Sequence, residues 1–410
     1  MEIYILKFWA GNQKKNLKKT NSMKYKMKKI LFFTSSRSDF GIQLPLIKKF
    51  VKSKRFKTYT IVTGSHFSKT YGSSYKEIKK SGIKNTVLID LNYKIDSPKT
   101  VGSFLSKLIL RVSYIIDKIK PNYLMILGDR FEIIIPTIIA NHFKIPIIHF
   151  HGGEVTEGSM DELTRHAISK MSQIHFPCTT NYKKRLIQLG ENPKNIHNFG
   201  SISLSDIKNV KIIKKKKLLD KLKIYNQNKN IIVTFHPEFI FTKVSTNLNF
   251  KIVCAALSEL KNFNIIFTAP AQELNSDIII KEIQKFCKKN KNSRFFKSMG
   301  KVMYLSCLKS FDLMIGNSSS GIIESPYFNI PAINLGKRQA GRDMSLNIIN
   351  CKYNKKLIIN KINYAISNNF RKKIKKNKSP YYQKDTIEKI YKEISKLNFK
   401  NNISKKFIDL

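Results

Sequence analysis

Acidic side chains are scarce in this chain of 410 residues, in which 27 aspartates and glutamates stand against 76 lysines and arginines. The resulting net charge of +49 would suit a protein that binds nucleic acid or a membrane surface. The lysines, however, are spread along most of the sequence, and we interpret them as solvated surface. We therefore predict no nucleic-acid partner and only a mild attraction for anionic or phosphorylated ligands.

Cysteines and long apolar runs are also few. Five cysteines are scattered without any C-x-x-C pair, which argues against a structural zinc site and favours free thiols in a reducing cytoplasm. No apolar run approaches the roughly 20 residues that cross a bilayer. The first residues also lack the basic start and the cleavage site of a signal peptide. We therefore predict a cytoplasmic protein without a metal and without a membrane partner.

Two common nucleotide-binding motifs are missing as well. No G-x-G-x-x-G follows the first predicted strand, which disfavours a nicotinamide cofactor, and no G-K-[ST] is present, which argues against a P-loop. Short apolar runs alternate instead with helical segments, from KILFFT to QIHFPC and again from NIIVTFHP to IPAINL. This alternation predicts parallel β-α-β units and an α/β fold with two Rossmann-like domains.

The predicted organisation divides the chain into four segments. They are an N-terminal extension at residues 1–27, a first domain at 28–205, a second domain at 206–380, and a last segment at 381–410. The extension is rich in lysine and asparagine and shows little periodicity. The last segment contains a helix that we expect to pack back on the first domain. The first helix of the first domain is predicted from Gln43 to about Lys52.

Polar residues collect at the predicted carboxyl ends of these strands, where ligands bind in open parallel sheets. The clusters include SSRSDFG with Arg37, TGSH with His66, GDR with Asp129 and FHPE with His236. Each cluster alone has a structural explanation, such as Asp129 capping the next helix or His149 satisfied in the core. Their shared position at one end of the strands favours a common site.

The segment GNSSSGIIE follows a predicted strand and opens a predicted helix. Unpaired amides at the helix start, the helix dipole and the hydroxyls of Ser318, Ser319 and Ser320 together suit a bound phosphate. After the next strand, GKRQAGR places Arg338 and Arg342 where both could fork onto phosphate oxygens. The alternative is a serine-rich helix cap with two surface arginines.

The stretch HFHGGEVTEGSMDELTRH concentrates ionisable groups directly after an apolar run. Its SMDE fits a capping box, which predicts a helix that begins at Ser159. Asp161 and Arg165 are then neighbours on one helix face, as are Glu162 and His166. The alternative interpretation is that these four residues form ordinary helix salt bridges.

The Gly152–Gly153 pair lets the chain turn sharply at the end of this strand. We expect the turn to bring His151, Glu154 and Asp161 towards Asp129, across the switch point of the sheet. Carboxylates and imidazoles crowded in a cleft have pKa values that are pushed apart. The stretch therefore predicts acid–base catalysis.

In this order, the motifs resemble the hydrolysing UDP-N-acetylglucosamine 2-epimerases of bacterial sialic-acid biosynthesis. The matching motifs are SSRSDFG, TGSHFSKTYG, LGDRFE, HFHGGEVTEGSMDELTRHAISKMS, FHPE, GNSSSGIIE and INLGKRQAGR, between about Lys28 and Ser345. The family implies a GT-B-like fold with a nucleotide sugar in the cleft between two domains, and no metal or redox cofactor. By resemblance, the assembly is expected to be a homodimer or homotetramer.

The resemblance also assigns roles to residues. Asp129 and Asp161 match acidic catalytic positions, although the spacing from GGE to Asp161 is one residue longer than in the animal enzymes. Some relatives carry a catalytic glutamate where this chain has His151, so the C2 base is left open and Glu154 is a candidate. The predicted catalytic residues are Asp129, His151, Glu154, Asp161 and His236, and the predicted substrate-binding residues are Arg37, His66, Arg165, Ser318, Ser319, Ser320, Gly321, Glu324 and Arg338.

The implied reaction converts UDP-N-acetylglucosamine and water into N-acetylmannosamine and UDP. The C2 proton is barely acidic, so loss of the nucleoside diphosphate leads, stabilised by the serine loop, Arg338 and Arg37. A carboxylate or histidine then takes the C2 proton, giving 2-acetamidoglucal, to which water adds. One alternative is a hydrolysing 2-epimerase for a UDP- or GDP-linked 2,4-diacetamido-2,4,6-trideoxyhexose in legionaminic acid synthesis. A retaining GT-B glycosyltransferase is the alternative from another class.

Overall fold

The computed structural model describes residues 27–69, 72–92, 94–95, 97–238, 243–398 and 404–409. Apart from Met27, the predicted N-terminal extension lies outside these ranges. The described residues form two lobes, each built on a six-stranded parallel sheet flanked by helices. We call them the first lobe and the second lobe in chain order. The predicted α/β fold with two Rossmann-like lobes is thereby confirmed. No helix within the described ranges is both long and apolar enough to cross a membrane.

The first lobe contains β1 (Lys28–Thr34), α1 (Arg37–Val51), β2 (Phe56–Val62), α2 (Tyr75–Lys80), β3 (Thr86–Leu88), α3 (Pro98–Ile119), β4 (Tyr123–Leu127), α4 (Ile134–His142), β5 (Ile147–Phe150), α5 (Asp161–Met171), β6 (Ile174–Phe176) and α6 (Thr180–Gln188). Short 3-10 helices lie at Gly64–Phe67, Phe131–Ile133, Pro193–Asn195, Ile202–Leu204 and Ile207–Asn209. The sheet order is β3-β2-β1-β4-β5-β6, with every pair parallel. This is the order of a doubly wound nucleotide-binding fold, whose switch point lies between β1 and β4.

The second lobe contains α7 (Lys215–Leu222), β7 (Lys229–Thr234), α8 (Lys243–Ser258), β8 (Phe263–Thr268), α9 (Ser276–Lys289), β9 (Ser293–Phe296), α10 (Gly300–Ser310), β10 (Leu313–Gly316), α11 (Ser320–Ile323), α12 (Ser325–Phe328), β11 (Ala332–Leu335), β12 (Ile348–Cys351), α13 (Lys355–Ile366) and α14 (Asn368–Ile374), and the last helix is α15 (Thr386–Lys396). Its sheet order, β12-β11-β10-β7-β8-β9, repeats the order of the first sheet. The two lobes therefore present the carboxyl ends of their strands in equivalent ways.

The start of α1 and the presence of β12 differ from the sequence-based prediction for local reasons. α1 begins at Arg37 rather than Gln43, because the Ser36 hydroxyl accepts a hydrogen bond from the Asp39 N–H and caps the helix earlier. β12 was absent from the predicted strands. It is a four-residue edge strand with only alternate residues buried, so the sequence contains no continuous apolar run to mark it.

The last helix, α15, packs on the first lobe although it follows the second lobe in the chain. Ile390 and Ile394 are fully buried in the same apolar cluster as Phe50 of α1. The rings of Phe50 and Tyr391 lie 5.3 Å apart between centroids. The chain therefore passes from the first lobe to the second and then returns, so that two covalent connections join the lobes.

Replacing Ile394 by alanine should lower the free energy of unfolding by about 2–5 kcal/mol, because it leaves a cavity in the first lobe's core. Lys392 lies exposed on the same helix, and its replacement by alanine should change the same quantity by less than about 0.5 kcal/mol. Urea unfolding followed by circular dichroism measures both variants. Equal losses would show that α15 contributes no specific packing to the first lobe.

Candidate active site

The strand ends of the two lobes face each other across a cleft. Arg130, which follows β4, donates from Nη2 to the carbonyl oxygen of Gln272, which follows β8, at 3.4 Å. A side chain at Gly158 would place its Cβ 2.8 Å from the Cα of Arg338 in the second lobe, so glycine permits the close approach there. The polar strand ends that the sequence analysis singled out therefore lie in the region where the lobes meet.

Arg165 of α5 is the most deeply buried cation of this cleft, with a side chain that is 1% exposed. Its Nε donates to Oδ2 of Asp129 at 2.7 Å, and Nη2 bonds to the same oxygen. Nη1 donates to Oε2 of Glu162 at 2.7 Å and to the carbonyl oxygen of Glu154 at 2.8 Å, and Nη2 also donates to the Thr156 hydroxyl at 2.8 Å. This one guanidinium therefore joins the end of β4, the loop after β5 and the first turn of α5.

The loop after β5 makes the sharp turn that the Gly152–Gly153 pair predicted, and His151 contributes to the turn through its backbone conformation. His151 adopts a left-handed φ of +65°, and Gly153 follows with a φ of +76°. A Cβ at Gly153 would lie 2.4 Å from the carbonyl oxygen of Tyr182. The turn therefore requires glycine at this second position, both for its conformation and for its packing against α6.

The predicted capping box at Ser159 is wrong. α5 begins at Asp161, and Glu162 accepts a hydrogen bond from the N–H of Thr156 at 2.5 Å instead of turning back to Ser159. The predicted pair of Asp161 with Arg165 is not formed. Arg165 pairs with Glu162 and Asp129 instead. The expected pair of Glu162 with His166 is present at 2.9 Å. The demand of the buried guanidinium for acceptors outweighs the local capping preference.

Asp129 and Asp161, two of the predicted catalytic acids, differ in protonation. Burial would raise the pKa of Asp129, but the Arg165 guanidinium outweighs burial and holds the pKa of that carboxyl below its usual value. Burial raises the pKa of Asp161 to about 7, and the negative charges of Asp129 and Glu273 add to this effect. At neutral pH, Asp129 is therefore an anion while Asp161 carries a proton for part of the time, which suits a base and an acid.

Glu154 forms an ion pair between the lobes. Its side chain is 2% exposed, and its Oε2 lies 2.6 Å from Nη1 of Arg342, which is 8% exposed. This geometry argues against Glu154 as the C2 base, because its side chain is 2% exposed, whereas that of Asp129 is 21% exposed and can reach a substrate. It also contradicts the expectation that Arg342 contacts phosphate. Both residues instead hold the loop after β5 against the loop after β11.

His151 lies beside this ion pair, in the group that comes nearest to a metal site in the described part of the chain. Ligand atoms of His151, Glu154 and Cys178 lie within 4.8 Å of one another. Burial raises the pKa of the Cys178 thiol well above its usual value and lowers the pKa of His151. A cation placed there would also meet the positive charge of Arg342, which already holds Glu154. His151, Glu154 and Cys178 therefore suit a buried cluster held by the Glu154–Arg342 ion pair better than a metal site.

Two other histidines at strand ends are structural. His149 is fully buried, and its ring nitrogens contact the carbonyl oxygen of Gly128 at 2.8 Å and the Ser169 hydroxyl at 3.1 Å. His66 is also fully buried, between the hydroxyls of Thr34 at 3.0 Å and Ser74 at 2.8 Å. Burial lowers the pKa of each ring to about 3. The predicted direct substrate contact by His66 does not fit this geometry, because both of its nitrogens are occupied.

Arg37 stands at the start of α1, after the end of β1. Its Nη1 is buried without a hydrogen-bond partner among the described residues. Burial lowers the pKa of this guanidinium from a value that is normally above 12, and the charge of Glu77 opposes the change. Arg37 therefore has a guanidinium nitrogen whose hydrogen bond a ligand could accept.

The serine loop lies between β10 and α11 and is tied to two other loops. Asn317 accepts a hydrogen bond from the His236 N–H at 2.7 Å and donates to the His236 carbonyl at 2.9 Å. The Gln339 side chain donates to the Asn317 carbonyl at 2.9 Å. The predicted residues Ser318, Ser319, Ser320 and Gly321 follow directly, with the serines half-buried. The helix they open is a single turn.

His236 is neutral and its tautomer is assigned by a backbone contact. The N–H of Ala271 donates to Nδ1 of His236 at 3.0 Å, so the proton of the neutral ring lies on Nε2. Burial, together with the charge of Arg338, lowers its pKa to about 3. With this tautomer His236 acts as a hydrogen-bond donor rather than as a base.

Glu324 lies where the second lobe meets the 3-10 helix Ile202–Leu204 of the first lobe. It forms side-chain hydrogen bonds with Ser203 of that helix and with Ser320, and burial raises its pKa. The Ser320 hydroxyl also contacts the Tyr304 hydroxyl at 2.6 Å. Glu324 is therefore held at the edge of the serine loop, as a partner for a neutral hydroxyl-bearing group rather than for an anion.

Glu273 belongs to this site and was missed by the sequence analysis. It follows β8 in TAPAQE, and its Oε1 accepts a hydrogen bond from Nη2 of Arg338 at 3.0 Å. The rule that drew attention to the other strand ends applies to β8 as well and would have found it. Together with Asp129 and Asp161, Glu273 places three carboxylates within electrostatic reach of one another.

The chain is similar to known proteins over most of its length. Residues 48–395 match the family model described as UDP-N-acetylglucosamine 2-epimerase. A GDP/UDP-N,N'-diacetylbacillosamine 2-epimerase (hydrolyzing) of Campylobacter jejuni is 36% identical over 80% of this chain and 85% of its own length. The polysialic acid biosynthesis protein P7 of Escherichia coli is 33% identical over 94% of this chain and 98% of its own length.

Solved structures share the two-lobed arrangement. The crystal structure of UDP-GlcNAc 2-epimerase from Neisseria meningitidis bound to UDP-GlcNAc has a TM-score of 0.78 to this chain, at 16% sequence identity. The match covers 90% of this chain and 100% of that structure. At this identity the likeness establishes the GT-B-like fold.

Replacing Glu154 by glutamine should lower the free energy of unfolding by about 3–5 kcal/mol, because it leaves the buried Arg342 charge without its partner. Glu157 lies exposed in the same loop, and glutamine at that position should have an effect below about 0.5 kcal/mol. Guanidinium chloride unfolding measures both. If the two variants are equally stable, the ion pair between the lobes contributes nothing to the fold.

Replacing Asp161 by asparagine should change how stability depends on pH. The pKa of Asp161 is about 7 in the folded chain against an ordinary value of 3.8. In the native protein this group therefore lowers stability as the pH rises from about 4 to about 7, by at most about 1.4 kcal/mol per pH unit. Unfolding free energies measured at pH 5, 6 and 7 should therefore fall more steeply with rising pH in the native protein than in Asp161→Asn. A difference that is constant with pH would contradict the raised pKa.

Proposed function

Because the chain belongs to the UDP-N-acetylglucosamine 2-epimerase family, we propose that this UDP-sugar 2-epimerase converts UDP-N-acetylglucosamine and water into N-acetylmannosamine and UDP. The proposal is carried by the arrangement of the cleft: Asp129 is bonded to Arg165, Asp161 faces Asp129 and Arg338, and Gln339, the neighbour of Arg338, is bonded to the serine loop. The reaction is an elimination followed by a hydration, and neither step changes the oxidation state of the whole. No redox cofactor is therefore needed.

The second lobe supplies the donors for the leaving nucleotide. Ser318 and Ser319 would contact the phosphates from the start of α11, where amides lack intrahelical partners. Arg338 and the unpaired Nη1 of Arg37 would neutralise the diphosphate as it departs. His236 would donate from Nε2. The hydrogen-bonded Glu324 would accept from a ribose hydroxyl.

The first lobe supplies the acid and the base. As the bond between C1 and the diphosphate oxygen breaks, its electron pair leaves with UDP, and Asp129 removes the C2 proton so that the C–H electrons form the C1–C2 double bond. Water then adds its hydroxyl to C1 of the 2-acetamidoglucal and releases a proton to solvent. Asp161 returns a proton to C2 on the opposite face. Asp129 is preferred over His151 because its side chain is 21% exposed, whereas the His151 ring is 10% exposed and lies against Glu154 at 3.4 Å.

The division of work between the lobes extends to the domain boundaries. We assign residues 28–205, together with α15 of the 381–410 segment, to a catalytic domain, and residues 206–380 to a nucleotide-binding domain. The assignment rests on the acids in the first lobe and on the serine loop in the second. Because Glu154, Thr179 and Asn181 of the first lobe bind Arg342 and Asp343 of the second, both parts are expected to be required for activity.

A 2,4-diacetamido-2,4,6-trideoxyhexose linked to UDP or GDP is the second candidate substrate. The 36% identity with the Campylobacter jejuni diacetylbacillosamine 2-epimerase favours it. A UDP-N-acetylglucosamine 2-epimerase of Neisseria meningitidis, 32% identical over 83% of this chain, favours the acetylglucosamine substrate. Parallel assays of nucleoside diphosphate release from UDP-N-acetylglucosamine and from the UDP- and GDP-linked trideoxyhexose decide between them. The substrate with the higher kcat/KM is the one that the pocket selects.

Turnover of UDP-N-acetylglucosamine in deuterated water should give N-acetylmannosamine with deuterium at C2, because the C2 proton exchanges with solvent between the two steps. Replacing Asp129 by asparagine should lower the rate of UDP release by roughly 100-fold or more, since a base is lost. The surface variant Asp117→Asn should keep the native rate. NMR of the product and a coupled UDP assay measure these outcomes. Product without deuterium, or normal turnover by Asp129→Asn, would overturn the mechanism.

A further inference from the structure

Glu273 has no role in the proposed mechanism, yet its position in the second lobe is well defined. Its N–H donates to the hydroxyl of Ser276 at 3.0 Å, and that hydroxyl donates to the carbonyl oxygen of Ala271 at 2.7 Å. Its carboxylate is 28% exposed and bonds to Arg338. The side chain is therefore held at the surface of the cleft rather than free in solvent.

Contacts on both sides bring Glu273 to the acids of the first lobe. The preceding residue, Gln272, accepts a hydrogen bond from Arg130, which is the neighbour of Asp129 in the chain. Arg338, which binds the Glu273 carboxylate, packs its backbone directly on Gly158 in the loop that leads into Asp161. Glu273 of one lobe thus lies close enough to Asp129 and Asp161 of the other for their charges to interact.

We propose that Glu273 is a positioning residue that keeps Asp161 in its acid form, so that Asp161 can return a proton to the substrate while Asp129 remains ionised. The inference rests on the proposed 2-epimerase reaction. Three like charges in one cleft cannot all be ionised at low cost, and the proton settles on the group with the weakest cationic support.

The charged groups around Asp161 indicate that Asp161 is the acid with the weakest cationic support. Asp129 and Glu273 face it with negative charge, and Arg338 and Arg130 face it with positive charge. Asp129 is bonded to Arg165 and Glu273 to Arg338, whereas the Asp161 carboxylate accepts a hydrogen bond from the neutral Ser159 hydroxyl at 2.9 Å. The raised pKa of Asp161 agrees with this arrangement. Because Glu273 belongs to the second lobe, the acid form depends on the lobes being together.

The test is the pH dependence of kcat in Glu273→Gln. Removing the negative charge should lower the pKa of Asp161. The pH at which kcat falls on the alkaline side of the profile should therefore decrease by on the order of 1 unit. Asp277 lies exposed in the first turn of α9, and Asp277→Asn removes the same charge near the same loop without facing the cleft. That control should keep the native profile, and Glu273→Asp should restore most of the alkaline limb.

A uniform loss of kcat in Glu273→Gln with an unmoved alkaline limb would overturn the inference and leave Glu273 a structural partner of Arg338. If the native protein releases no UDP from either nucleotide sugar, the proposed function fails, and the charge coupling is then tested without turnover. Carboxyl carbon NMR of aspartate-labelled protein follows Asp161, identified by its loss in Asp161→Asn. The titration midpoint should fall in Glu273→Gln, and identical midpoints would also overturn the inference.

Discussion

The buried guanidinium of Arg165 is the constraint on which the rest of the site depends. A charge withdrawn from water is tolerated only when acceptors surround it, and here the acceptors come from the end of β4, the loop after β5 and the first turn of α5. Satisfying this one group fixes three pieces of chain relative to one another. It also keeps Asp129 ionised, and a neighbouring acid then has to carry the proton.

The scarcity of acidic residues makes their distribution informative. In a chain with a net charge of +49, Asp129, Glu154 and Glu273 lie where the lobes meet, and each is bonded to an arginine. The first lobe brings Asp129 and Asp161, and the second brings Arg338 and the serine loop. The pair of Glu154 with Arg342 and the contact of the Tyr182 and Tyr381 hydroxyls at 2.7 Å hold these two sets together. The surface lysines take no part in this arrangement.

Much of the fold could be predicted, and the site could be predicted in outline. The alternation of apolar strands with helices led to two doubly wound sheets, and the strand-end rule led to Asp129, Arg37 and the serine loop. Asp161 was predicted from the turn at Gly152–Gly153 and the helix that follows it. Predictions that relied on local rules alone did worse. Ser159 has the residues of a capping box, yet Glu162 is drawn away by Arg165. Glu154 has the position of a base, yet Arg342 holds it in the interior.

The sequence by itself determined the class of fold, the order of the motifs and the family, because periodicity and short motifs are properties of neighbouring residues. The tertiary structure alone decided which acid is ionised, which guanidinium is free for a ligand and which glutamate serves the interface. Those properties depend on burial and on charges from distant parts of the chain, such as Arg165 on Asp129 and Glu273 on Asp161. Linear spacing carries no information on either, since the partners come from different strands and different lobes.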